Sequence, residues 1–168
     1  MSDYCSAKPG SQQFPGQTSD LIRSILRRYR KVAMVGLSGN SNRPSYFAAT
    51  YLKDYGYEIT PVNPAYDEIM GLNSYASLEE VPAPLEIVDI FRKPEEVPAL
   101  VDQAIRLGAK VIWMQLGIVH MESREKALAA GLEVVMDRCM KIEHARYHGG
   151  MGVTGLRTGV ISAKKGRI

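Results

Sequence analysis

The sequence predicts one doubly wound α/β domain: a five-stranded, mainly parallel sheet with helices on both faces. A short unbroken apolar run at 32–37 is followed by mainly apolar runs at 57–62, 87–91, 111–116 and 132–136. Such runs leave no polar face and suit strands covered on both sides, and their spacing of 21 to 30 residues is that of βαβ units. Amphipathic helical patterns lie between the runs, and Gly56, Gly108 and Gly131 follow three of them, where a helix C-terminal cap wants glycine. A length of 168 residues, 45% apolar and 23% charged, suits a single buried core and opposes wholesale disorder.

Taken in order, residues 1–17 mix Ser, Gln, Gly and Pro without periodicity and read as a mobile arm. From Ser19 the pattern turns helical. Ile22, Ile25, Leu26 and Tyr29 make one stripe, Arg23, Arg27 and Arg30 lie off it, and Thr18 or Ser19 supplies the cap. The first strand run follows, then a helix on Ala48, Tyr51, Leu52 and Tyr55, then the second run. Residues 63–84 are less regular, with a capping-box pattern at Ser77 and Glu80 that predicts one short helix. After the third run comes a helix on Val97, Leu100, Val101 and Ala104, and between the last two runs a shorter one from Glu122 to Ala130. A further short helix is expected after Met140. The domain is thus read as 18–146, and 147–168 as a weakly ordered basic tail punctuated by glycine.

The net charge of +3 hides a division. Residues 1–31 hold six Lys/Arg against two acids, 32–140 nine against fifteen, and 141–168 six against one. The body is therefore acidic between basic ends. No apolar run is long enough to span a membrane, and the first residues lack a signal peptide's apolar stretch, so a cytoplasmic protein is expected. Cys5 and Cys139 make neither a disulfide framework nor a zinc knuckle, which fits a reducing compartment.

In doubly wound sheets ligands sit beyond the carboxyl ends of the strands, near the point where strand order reverses. The loops to inspect are therefore 36–45, 62–66, 91–94, 115–120 and 136–141. The first runs from a strand into a helix whose first turn holds Pro44; amides at that helix start face an anion, and Arg43 adds a positive fork. It is a phosphate site by position and chemistry, although small polar residues also make ordinary turns. The dinucleotide fingerprint is absent, because it needs glycine where Ser38 and Ser41 stand. The second strand ends Thr60-Pro61-Val62-Asn63-Pro64, without the acid that holds an NAD ribose. Pro61 and Pro64 offer a rigid apolar shelf with one amide, Asn63, suited to a purine; a proline-stiffened turn is the plain alternative.

Six stretches together resemble a known family: Val35-Gly36-Leu37-Ser38, Arg43-Pro44-Ser45, Gly56-Tyr57 with Pro61-Val62-Asn63-Pro64, Asp89-Ile90-Phe91-Arg92, Trp113-Met114-Gln115-Leu116-Gly117, and Val135-Met136-Asp137-Arg138-Cys139. In that order they resemble the small CoA-binding proteins, whose domain is similar to the CoA-binding domain of the succinyl-CoA ligase alpha subunit. The resemblance implies a Rossmann-like domain that binds coenzyme A or an acyl-CoA. It puts the phosphates on the Ser38 to Ser45 loop and the adenine near the Pro61 to Pro64 turn. Candidate cofactor-binding residues are Gly36, Ser38, Arg43, Pro44, Ser45, Pro61, Asn63, Pro64, Phe91, Arg92, Gln115, Gly117 and Cys139. Arg43, Arg92 and Lys93 answer the ligand's phosphates with close donors. Phe91 packs on the adenine or the pantetheine, or simply on the core. Gln115 and Gly117 give a polar contact and a close backbone approach, or an ordinary turn.

The ligase carries its phosphorylated histidine on a second domain, and this chain ends soon after its first. His120 has no partner base in the sequence, and His144 with His148 stand i, i+4 on a helix without supporting metal ligands, so neither catalytic nor metal-binding residues are expected. Cys139 stands beside Arg138, which favours its thiolate, and near Asp137, which opposes it; a mixed disulfide with the CoA thiol is the sharpest reading of it and a small buried residue the plainest. The expected function is a non-catalytic carrier, sensor or regulatory module, compatible with a protein partner or a homo-oligomer. An NAD(P)-dependent oxidoreductase domain is the first alternative. Nucleic-acid binding through the basic ends is the second, and the arginines off the apolar stripe of an amphipathic helix argue against it.

Overall fold

Helix α1 (Ser19–Arg28) leads into β1 (Lys31–Val35), α2 (Pro44–Asp54) and β2 (Glu58–Val62). A small hairpin, β3 (Glu68–Ile69) and β4 (Leu72–Asn73), follows. Then come β5 (Ile87–Ile90), α3 (Val97–Arg106), β6 (Val111–Met114), α4 (Met121–Ala129), β7 (Glu133–Val135) and α5 (Met140–Tyr147). These elements belong to a computed structural model that describes residues 13–148. Residues 1–12 of the expected arm, and the tail beyond His148, lie outside the described residues.

The five long-range strands form one parallel sheet in the order β2-β1-β5-β6-β7. The chain winds outward from β1 to β2, then crosses to β5 and winds the other way, so the order reverses between β1 and β5. Side chains alternate across the sheet as the pleat requires. Ala33, Val35, Val88, Ile90, Ile112 and Met114 pack with Val97 and Val101 of α3 and Ala127 of α4. Val32, Met34, Ile87, Val111 and Trp113 pack with Ile25 and Leu26 of α1, Ala48 and Leu52 of α2, and Met140 of α5. The expected doubly wound α/β fold, with helices on both faces, is what the chain adopts.

Three local expectations need correction. The arm is not free up to residue 17: Phe14 is only 4% exposed inside the α3/α4 core, and the Gln17 side chain both donates to and accepts from the Met136 backbone at 2.9 and 2.7 Å. The Arg124 guanidinium also donates to the Pro15 carbonyl. The irregular stretch after β2 holds a hairpin of two-residue strands, too short to leave an alternating pattern. Ser77 and Glu80 make a single 3-10 turn, Leu78–Glu80; Ser77 makes no side-chain cap bond, and the Glu80 carboxylate accepts from the Ala76 N–H.

Candidate functional site

The reversal point is built around Gly36. Its φ is +86°, and a Cβ there would lie 2.6 Å from the Phe91 carbonyl oxygen, so only glycine lets the loop after β1 touch the loop after β5. The following turn is held by its own polar groups. The Ser38 N–H donates to Ser45 Oγ at 3.1 Å, the Asn40 N–H to Ser38 Oγ at 3.1 Å, and the Asn42 N–H to Asn40 Oδ1 at 2.9 Å. The Arg43 N–H donates to the Asn40 carbonyl. These bonds occupy loop amides that precede the helix; at the helix start itself the Tyr46 N–H donates to the Arg43 carbonyl at 3.1 Å. Residues 39–44 of the loop are exposed, among them Arg43 at the N-cap of α2 and Pro44 as that helix's first residue.

The second loop also differs from expectation. Asn63 is buried, donating from Nδ2 to the Leu37 carbonyl at 2.8 Å while its Oδ1 accepts from the Ala65 N–H at 3.0 Å. It therefore clamps the first two loops together, and its amide is engaged. Pro61 is buried within β2, an outer strand of the five-stranded sheet, in register with Met34; of the two prolines Pro64 alone is exposed. Tyr66 ends this loop, exposed, and packs so tightly on Gly39 that a Cβ there would lie 2.7 Å from its ring. It was missed in the sequence because a lone tyrosine in an irregular segment carries no pattern.

Beyond β5, β6 and β7 opens a cleft of about 530 Å³. Of the candidate residues, Pro44, Phe91, Arg92, Gln115 and Cys139 line it, together with Lys93, Pro94, Leu116, Ile118 and Lys141. Its lining combines the apolar Phe91, Leu116 and Ile118 with the cationic Arg92, Lys93 and Lys141. A smaller hollow of about 180 Å³ lies on the β1–β2 side, bordered by Val35, Val62, Pro64 and Arg92. Arg92 thus lines both hollows; Glu96 lies 3.8 Å from its Nε. Gly36, Ser38, Arg43, Ser45, Pro61 and Asn63 border neither hollow and instead shape the loops around them. Gly117 is also outside: at φ +79°, its N–H donates to Asp137 Oδ1 at 2.8 Å, which makes it a turn residue.

Behind the cleft wall sits a group that the candidate set lacks. Asp89, in the central strand β5, has no exposed surface; its Oδ1 accepts from Gln115 Nε2 at 2.8 Å, and its Oδ2 finds no hydrogen-bond partner among the described residues. Burial pushes its pKa up to about 7, against the pull of the Gln115 bond. An acid inside an otherwise apolar strand run was the available signal for it. Burial, with the charge of Asp89 in support, also raises the Cys139 thiol. Burial outweighs the neighbouring cation Lys141, and the Arg138 Nη1 donates to the Asp137 carbonyl while its Nε lies 3.9 Å from Glu143. Cys139 is therefore a protonated thiol in the cleft wall.

His144 and His148 lie side by side, their ring centroids 5.2 Å apart, while His120 stands at another helix. His120 caps α4, its Nδ1 accepting from the Ser123 N–H. His144 is buried, with its Nδ1 3.1 Å from the Tyr51 hydroxyl, and burial holds its pKa down to about 4. Among the described residues no group of three or more His, Cys, Asp or Glu is placed to hold a metal ion.

Comparison with known proteins agrees with this architecture. Residues 30–145 match the family model described as a CoA binding domain. An uncharacterized protein of Bacillus subtilis, YneT, is 39% identical over 124 residues, covering 74% of this chain and 92% of that protein. The ADP-forming acetate–CoA ligase of Methanocaldococcus jannaschii is 27% identical over 121 residues, 67% of this chain but 17% of the ligase. A solved structure of a hypothetical protein from Pyrococcus horikoshii OT3 is 42% identical, with a TM-score of 0.76 over 81% of this chain and 97% of that one. With the match spanning the whole sheet and every crevice loop, the chain belongs to the CoA binding domain family.

Proposed function

We propose that the protein binds coenzyme A or an acyl-CoA at the carboxyl ends of its strands and serves as a non-catalytic carrier, sensor or regulatory module. The observation that supports this best is the cleft itself. Arg92, Lys93 and Lys141 gather on one crevice in a body that is otherwise acidic, beside the apolar surface of Phe91, Leu116 and Ile118. That combination matches a ligand with phosphates at one end and a long, weakly polar arm at the other. Arg92 suits the phosphates because its planar fork can bond two oxygens at once. The smaller hollow past Arg92, with Pro64 on its border and Tyr66 nearby in the same loop, is where a purine ring fits.

A non-catalytic role is supported by where the acid–base groups stand. His120 is used as a helix cap, His144 is neutral and packed behind Tyr51, and Cys139 is protonated. An NAD(P) site is disfavoured because Asn63, at the position of the ribose-binding acid, spends its side chain on the Leu37 carbonyl.

The test is a thermal-shift panel of CoA, acetyl-CoA, succinyl-CoA, NAD and NADP. At about a thousandfold excess over its dissociation constant, a CoA compound stabilises the fold by roughly 4 kcal/mol, a shift of several degrees. Arg92→Ala is expected to weaken binding about tenfold, the loss of one charge-assisted contact. No shift with any CoA compound, or a shift with NAD or NADP alone, overturns the reading.

A further inference from the structure

Asp89 is costly where it stands. It lies between Met34 and Trp113 in register on the two neighbouring strands; the first is apolar, and the indole N–H of the second is already bonded to the Arg138 carbonyl at 2.7 Å. An aliphatic residue would continue the pattern of Ile87 on the same face. A fully buried carboxyl with one oxygen unpartnered destabilises the fold, and such groups are kept where they serve a site. Its one hydrogen bond leads to Gln115, a buried residue of the cleft lining.

A primary amide has two unlike ends. The Gln115 NH2 faces Asp89, and Asp89 Oδ1 accepts from it whether the carboxyl is ionised or carries its proton on the other oxygen. The carbonyl oxygen is then the end left for the cleft. Resting on the CoA reading above, we propose that Asp89 is a positioning residue that fixes the polarity of Gln115. The cleft floor thereby offers an acceptor and selects a ligand whose entering arm carries a hydrogen-bond donor. In a CoA compound that donor is an amide N–H of the pantetheine arm or the terminal S–H. A site built to accept a bond penalises any ligand that leaves the acceptor unpaired.

Calorimetric titration of the full chain separates these cases, using CoA, acetyl-CoA and adenosine 3′,5′-bisphosphate, a headpiece without the arm. Asp89→Leu frees Gln115 to present either end, and Gln115→Met removes the acceptor from the cleft side, so the proposal does not depend on one variant folding. Each is expected to weaken CoA about tenfold while leaving the headpiece within about twofold, a split that a general loss of structure does not produce. If acetyl-CoA weakens as much as CoA, the donor is the amide N–H; if acetyl-CoA is spared, it is the thiol. Unchanged CoA affinity in both variants, or equal losses for CoA and the headpiece, overturns the assignment of Asp89 and leaves the CoA reading standing. A wild-type chain that binds the headpiece and CoA equally overturns the role of the arm, and one that binds neither overturns both readings.

Discussion

At the scale of single residues, two buried titrating groups pull stability in opposite directions. Asp89 has a folded pKa of about 7 against an ordinary 3.8, so between those values the folded chain holds a proton that the unfolded chain has released. Its contribution is therefore fully present below about pH 4 and lost as pH rises towards 7, with a slope of up to about 1.4 kcal/mol per unit. His144 behaves inversely: at about 4 when folded against an ordinary 6.5, it is neutral in the native state and must gain a proton on unfolding. Stability from His144 rises between those two values. Glu143, raised by burial against the pull of Arg146 and Arg138, adds to the Asp89 direction. Relative to wild type, Asp89→Asn should gain stability steadily from about pH 4 to 7 and hold a constant difference above it. His144→Phe should lose ground relative to wild type from about pH 4 to 6.5. Urea unfolding at intervals across this range checks both. A pH-independent difference for Asp89→Asn would mean that the carboxyl is already ionised throughout the range.

At the scale of elements, the segment before α1 shows what periodicity can and cannot convey. β7 is an outer strand, and the Gln17 side chain bonds the Met136 N–H and carbonyl just past its end, much as a neighbouring strand would. Phe14 fills the core beneath. Neither residue belongs to a repeat, and the surrounding Ser, Gly and Pro read as an arm, so this docking was illegible. The helices and strands were legible because each repeats an apolar position several times. The β3–β4 hairpin was not, since two-residue strands repeat nothing. Phe14→Ala should cost about 3 kcal/mol and Gln17→Ala about 1 kcal/mol in denaturant unfolding. If both variants unfold with the wild-type midpoint, the segment is not part of the cooperative core.

For the whole molecule, the winding order fixed which strand ends meet, and that made the crevice loops readable before any side chain was placed. The division of labour within those loops was not readable. Asn63, Gly117 and Ser45 are spent holding loops together, whereas Lys93, Lys141 and Leu116 line the cleft; residue type alone does not separate a loop's fasteners from its lining. The same arrangement resolves what the basic ends and acidic body mean for ligand size. Nine Lys/Arg against fifteen acids between 32 and 140 leave a body that repels an extended polyanion. Arg92, Lys93 and Lys141 concentrate positive charge over a single cleft. A ligand neutralising about three cations should lose at most roughly fortyfold in affinity between 50 and 200 mM salt, whereas six to ten phosphate contacts on nucleic acid lose about 10³–10⁵. Lys141→Ala should flatten the CoA salt dependence. Lys110→Ala, just before β6 at the opposite end of the sheet, should leave it unchanged. Titrations at four salt concentrations decide the matter: equal slopes in the two variants would move the phosphates away from this cleft, and a loss of a thousandfold or more for wild type would point to a polyanion spread over the basic surface.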